Sequence, residues 1–225
     1  VAVAHVDRSV RETVVGVLGG PLTRRPNPAG ESTLGDVVAD ALQTGAKPFD
    51  LNVATLVDPA DLRADLGRKH PEVTVGDALD ALPMDLGSSV VRLTGAELHQ
   101  ALEAQFAKHG SVLQVSSQLA YQWRAKPLNG LHVDPATITI GGKVVDPAAG
   151  YVIAVSDGLR DRADKHGKVR KGSNPVIAAA PLIVKGVTGV GGAHPGPLFD
   201  NLAAYLATRN PLPVPVLNRI TLVSR

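Results

Sequence analysis

Stretches with helical spacing and stretches with strand character follow one another along these 225 residues without the regular strand–helix–strand alternation of a parallel α/β sheet. Residues 31–44 put Leu34, Val37, Val38, Ala41 and Leu42 on one helical face, behind the N-cap candidate Ser32. Residues 51–57 read as a buried strand that runs into the loop Asp58-Pro59-Ala60-Asp61-Leu62-Arg63. Thr74 predicts the start of a short helix through Leu82 that stops at Pro83, and residues 89–93 a strand. Thr94 and Glu97 form a capping box ahead of a helix bearing Leu98, Ala101, Leu102 and Phe106, closed by Gly110. Leu119, Tyr121 and Trp123 alternate as in a half-buried strand, and these aromatics, with Phe106, read as core. Residues 138–145 predict a hairpin turning at Gly141-Gly142, and 151–155 a further strand. Pro197 at a first helical position opens a last helix with Leu198, Leu202, Tyr205 and Leu206, and residues 220–223 read as a final strand. The fold class is therefore α+β, a mixed sheet with packed helices.

A hydrophobic fraction of 44% with 20% charged residues is that of a globular chain able to bury a sizeable core as one domain. A formal charge of +2 gives no reason to expect nucleic acid as partner, and no apolar run approaches a membrane span. With no cysteine, disulfides, thiol nucleophiles and Cys-based zinc sites are excluded. The chain begins at Val1 with neither Met nor a signal-like leader, and reads as a processed or excised piece. Three Phe, three Tyr and one Trp leave few rings for a stacking site.

The seven histidines show none of the local spacings that bind metals, and read as solvated or hydrogen-bonded. No Gly-x-Ser-x-Gly elbow or Walker-type loop occurs. The Gly-rich segment 185–196 is separated by several residues from the helix after it, so it reads as a loop before it reads as a phosphate cradle. A basic run, Arg160, Arg162, Lys165, Lys168, Arg170 and Lys171, lacks the interleaved aromatics of a single-strand groove and reads as a solvated loop or an anion-attracting one.

Several stretches, in order, resemble the C-terminal domain of the 5'-nucleotidase / UDP-sugar hydrolase family. They are GESTLGDVVADAL from Gly30, DLRADLG from Asp61 into VTVGDALDALP from Val73, VVRLTGAELHQALE from Val90, and LQVSSQLAYQW from Leu113. The stretch ITIGGKVVDPAAGYVIAVSD and the ending NLAAYLA…LNRIT also fit. The resemblance implies one such domain over 1–225, with 1–15 a candidate linker from a metallophosphoesterase domain that this chain lacks. In that family the N-terminal domain holds the divalent metals and hydrolyses the ester, and the C-terminal domain holds the nucleotide. No cofactor is expected in this chain, and metals only in that separate domain.

The resemblance also assigns a site. Its Asn-x-Gly-Gly-Ile-Arg pattern falls on Asp58 through Arg63, so Arg63 is the expected phosphate contact, while the asparagine is replaced by Asp58 and the glycines by Ala60 and Asp61. Its first stacking Phe falls on Met84 and its second on Gly158; its ribose-binding Asp falls on Asp164. Arg24 and Arg25 lie in the loop before the first motif, where further phosphate-binding arginines belong. Arg63 reads either as that phosphate contact or as a loop arginine paired with Asp61 or Asp65. The leading reading is a substrate-recognition domain of a secreted or cell-envelope 5'-nucleotidase-like protein, non-catalytic alone and degenerate in nucleotide binding. Its ligand would be a nucleotide or another phosphorylated small molecule. The rivals are a structural or interaction module with an envelope protein as partner, and part of an active phosphoester hydrolase whose metal domain lies elsewhere.

Overall fold

Alternate residues of the central strands face two different cores, and this places every other element. The computed structural model describes residues 7–107, 111–163, 169–171, 174–185 and 196–223. It is a mixed α+β structure, as its sequence pattern predicts. A five-stranded sheet runs in the order Leu182–Lys185, Ser88–Thr94, Gly150–Ser156, Ala54–Val57, Gln114–Val115. Only the pair Gly150–Ser156 and Ala54–Val57 is parallel, with Ile153 opposite Ala54; the other pairs are antiparallel. Val53, Val57, Val90, Val152 and Ala154 face one core, packed by the helices Thr33–Ala46 and Leu198–Ala207. Ala54, Leu56, Val91, Ile153 and Val155 face the other, closed by the helix Gly95–Ala104 and a second sheet. A strand buried on both faces needs apolar residues at consecutive positions, which is why these runs read as continuous rather than alternating.

The second sheet runs Ile220–Leu222, Leu119–Leu128, Thr139–Ile140, Lys143–Val144, with Leu131–Val133 also paired to its long strand. Gly141 and Gly142 turn its short hairpin at φ +59° and +76°, the left-handed values that such a two-residue turn demands. Tyr121 is buried, while Phe106 and Trp123 pack against the same core with ring centroids 4.8 Å apart. Trp123 Nε1 donates to the Ala29 carbonyl at 2.9 Å.

Three expectations shift at element ends. The strand predicted from 51 begins at Ala54, because Asp50 accepts a hydrogen bond from Asn52 N at 2.7 Å and turns the chain first. Pro197 stands just before the helix Leu198–Ala207 rather than inside it. The helix after the Thr94/Glu97 capping box ends at Ala104, and Gly110, its expected stop, lies outside the described residues. Gln105 instead ties that end, donating to Leu102 O at 2.6 Å and accepting from Leu113 N at 2.7 Å. Among the described residues no helix is long and apolar enough to cross a membrane.

Candidate functional site

Parallel strands end on the same side of a sheet, so the chain leaving Ala54–Val57 and the chain leaving Gly150–Ser156 meet. The first becomes a single 3₁₀ turn, Pro59–Asp61, with Asp58 as its N-cap accepting from Ala60 N at 2.9 Å. Asp58 N also donates to Ser156 Oγ at 3.1 Å, which fastens the two strand ends together. The second becomes the short helix Asp157–Arg160, held by Ser89 Oγ donating to Asp157 at 2.6 Å. Where they meet, the Asp61 carboxylate occupies the space a side chain on Gly158 would need. A Cβ built on Gly158 would lie 2.4 Å from Asp61 Oδ1 and 2.6 Å from Oδ2. Asp61 is only 7% exposed, so this packing is interior.

Beyond that turn Leu62 is buried and Arg63 is exposed. Arg63 N donates to Ala81 O at 2.8 Å, pinning the loop to the end of the helix Val75–Ala81. Leu22 and Leu66 then exchange both backbone hydrogen bonds at 2.9 Å, and both side chains are buried. This clip brings the loop carrying Arg24 and Arg25 against Asp65. Asp65 Oδ1 accepts from Arg24 N at 3.0 Å and from its Nε at 3.1 Å; Oδ2 accepts from Arg68 Nη1 at 3.1 Å. Partial burial works against ionisation there, but the Arg24 hydrogen bonds and the two guanidinium charges hold the carboxyl below its ordinary range.

The result is an open cleft of about 320 Å³ between Arg24, Arg63, Lys69 and His70 on one side and the helix residues Asp77 and Asp80 on the other. Its acids are already engaged. Asp65 holds two arginines, Asp77 accepts from Thr74 N and Oγ1, and Asp80 pairs with Arg11 at 2.8 Å. Arg63 and Lys69 have no acidic partner among the described residues. No Phe, Tyr or Trp lines the cleft. Chemically the cleft presents guanidinium forks and an ammonium, groups suited to an anion, around a polar hollow with no ring to stack a base.

Of the residues the family resemblance singles out, Arg63 and Arg24 line this cleft, while Asp58, Met84 and Gly158 do not. Arg63 is not paired with Asp65, which is committed to Arg24 and Arg68. Asp58 is buried at 5% exposure as a turn cap. Met84 stands 47% exposed beyond the helix Val75–Ala81, and Gly158 is closed off by Asp61. Asp164 lies outside the described residues, as do Lys165 and Lys168 of the basic run. Arg160 of that run donates to the carbonyls of Ile177 and Ala180 at 3.2 and 3.0 Å, a structural use. Lys69 and the Asp65 clamp have no signal in the sequence, because Arg24 and Asp65 are brought together only by the Leu22–Leu66 clip. Among the described residues no group of His, Asp and Glu could hold a metal ion.

Residues 10–168 match the family described as 5'-nucleotidase, C-terminal domain, and the chain belongs to that family. No curated protein is a significant match to the full sequence. Among solved structures, a 5'-nucleotidase precursor from Thermus thermophilus superposes with a TM-score of 0.70 at 19% identity, over 96% of this chain and 41% of its own. A Thermus thermophilus sulfate thiohydrolase, SoxB, gives 0.68 at 18% identity over 97% and 36%. The NAD nucleotidase of Haemophilus influenzae gives 0.65 at 14% identity over 96% and 39%. These likenesses establish the fold, and the chain spans less than half the length of each of the three structures.

Proposed function

We propose that this chain is the substrate-recognition part of a 5'-nucleotidase-like phosphoester hydrolase. It would bind a phosphorylated small molecule in the Arg63 cleft while a separate metallophosphoesterase domain carries the metals and the chemistry. The observation behind this reading is the pair of cations, Arg63 and Lys69, left without acidic partners in a hollow whose acids are all engaged. On the same reading the site has lost its two-sided grip on a base: Gly158 is abutted by Asp61, and Met84 offers a soft contact at most. The neighbours in fold are named for nucleotides in two cases and for a sulfate compound in the third, so the scaffold is not tied to a base. A place outside the cytoplasm belongs to the proposal through the family, and the chain alone would not hydrolyse esters.

Isothermal titration with inorganic phosphate, ribose 5-phosphate and AMP tests it. A stacked base contributes about 1–3 kcal/mol, roughly one to two decades in affinity. AMP should therefore bind within about threefold of ribose 5-phosphate, and Arg63→Ala should weaken both by about tenfold or more. Absence of any binding, or insensitivity to Arg63→Ala, defeats the phosphate reading. An AMP advantage of about a hundredfold defeats the degenerate one.

A further inference from the structure

We propose that Asp80 is a built-in competitor for the anion cleft, kept out of it by Arg11, so that Arg11 sets the affinity of the cleft from outside; the inference rests on the phosphate reading above. The helix Val75–Ala81 stands between two hollows. On one side lies the Arg63 cleft. On the other lies an outer hollow of about 510 Å³, lined by Arg8, Arg11, Glu12, Thr74 and Gly76. Asp77 and Asp80 line both.

The acids of the cleft are not held alike. Asp65 is held by Arg24 and Arg68, which themselves line the cleft, and Asp77 by Thr74 at the start of its own helix. Asp80 depends on a partner across the wall: Arg11 Nη2 donates to its Oδ1 at 2.8 Å, and Arg11 does not line the cleft. Main-chain contacts put Arg11 there. Val14 pairs with Thr74, Val75 N donates to Thr13 O at 2.8 Å, and a Cβ on Gly76 would lie 3.2 Å from Arg11 O. Glu12, in the same outer hollow, is paired with Arg8 at 2.8 Å. The Arg11–Asp80 pair is exposed, 41% at Arg11 and 64% at Asp80, and such pairs open readily. A released Asp80 shares the cleft with Arg63 and Lys69, the two cations without an acidic partner among the described residues. A carboxylate that pairs with either takes donors that a phosphate needs, and it does so as an intramolecular ligand. An exposed ion pair forms with an equilibrium constant of about 1–5, so this competitor lowers apparent phosphate affinity about two- to sixfold. An acidic group that engaged Arg11 from the outer hollow would have the same effect, which links the two hollows with opposite sign. Arg11 is thus a positioning residue for the cleft.

Isothermal titration of inorganic phosphate into the 225-residue chain tests the inference. At about 0.15 M salt the direct field of a charge beyond roughly 8 Å is screened, while contact pairing remains. Arg11→Ala should weaken phosphate binding about threefold there, and Arg11→Lys, which keeps the charge, should retain most of the parent affinity. Asp80→Asn should bind phosphate at least as tightly as the parent. In that background Arg11→Ala should change the affinity by less than about 1.5-fold. Unchanged affinity in Arg11→Ala overturns the inference. An equal loss in the Asp80→Asn background also overturns it, since Arg11 would then act by its own charge or through the fold. Weaker binding by Asp80→Asn does the same, because Asp80 would then serve the ligand and not oppose it. If the parent binds no phosphate, or Arg63→Ala leaves its binding unchanged, the phosphate reading itself fails and takes this inference with it.

Discussion

Gly158 needs no side chain because another residue has taken its place. Its backbone does not require the left-handed region, for it is absent from the positive-φ positions; the constraint is the approach of Asp61 at 2.4 Å from a virtual Cβ. Gly158→Ala should therefore destabilise the fold by about 1–3 kcal/mol, the usual range for overpacking a filled site. The same substitution in an Asp61→Gly background should cost markedly less, because the obstructing carboxylate is gone. Urea unfolding of the four proteins of this cycle measures the coupling. Additive effects would mean that the two positions do not share that space, and the closed-off base side of the site would lose its structural basis. With Asp61 in that place, a ring at 158, where the family resemblance expects one, has no room.

Elements with local signals were legible, and elements made by distant pairing were not. Ser32, Thr74 and Thr94 announce their helices because a capping hydroxyl three residues ahead of a free backbone N–H is a purely local geometry. The hairpin at Gly141-Gly142 is local in the same sense. The stretch around Pro181 depends on distant pairing: it divides into a helix, Pro175–Ala179, capped by Asn174, and an edge strand, Leu182–Lys185, whose partner lies about ninety residues away. The site divides likewise. Arg63 and Arg24 both stand where the resemblance expects arginines, but what brings them together in space is the Leu22–Leu66 clip, which no spacing encodes. The helix Val75–Ala81 links these levels, since its last carbonyl holds Arg63 N and its Asp77 and Asp80 form the far wall of the cleft. Thr74→Ala removes the hydroxyl that accepts from Asp77 N and should cost about 1 kcal/mol. Measured by urea unfolding, that loss should be accompanied by weaker phosphate binding, because the wall and the pin of the Arg63 loop belong to the same element. Full retention of affinity would separate the helix from the site.

At the scale of the whole molecule, a buried charge cluster joins the beginning of the fold to its end. Arg219 precedes the last strand, Ile220–Leu222, and its guanidinium reaches Asp40 at 2.7 and 3.0 Å, the Val115 carbonyl at 2.8 Å and Asp36 at 3.3 Å. Glu31 accepts from the backbone N of Arg219 at 3.0 Å, so two carboxyl groups reach the guanidinium and a third holds the main chain beside it, with little exposure to water. Asp36 and Glu31 are fully buried, and both oxygens of Asp36 lack a hydrogen-bond partner among the described residues. Burial is the largest influence on Asp36, and Arg219 opposes it only in part because its fork is already committed to Asp40; the nearby charges of Glu31 and Asp40 push the same way as burial. The Asp36 carboxyl is pushed up from 3.8 to about 9 and stays protonated at neutral pH. The other ionisable groups near the cluster are Tyr121 and Tyr205, both raised chiefly by burial and so neutral across this range. A raised carboxyl binds its proton in the folded state and releases it in the unfolded one. The stability that the proton confers is fully present below 3.8 and is lost as pH rises to about 9. Asp36→Asn keeps the shape of the protonated acid and has no proton to release. Its stability relative to the parent should therefore grow as pH rises from 5 to 9, read from urea midpoints at each pH. If Asp36 were instead ionised against Arg219, the substitution would break a buried ion pair and cost about 3–5 kcal/mol with no such trend, and the two outcomes differ in both sign and slope.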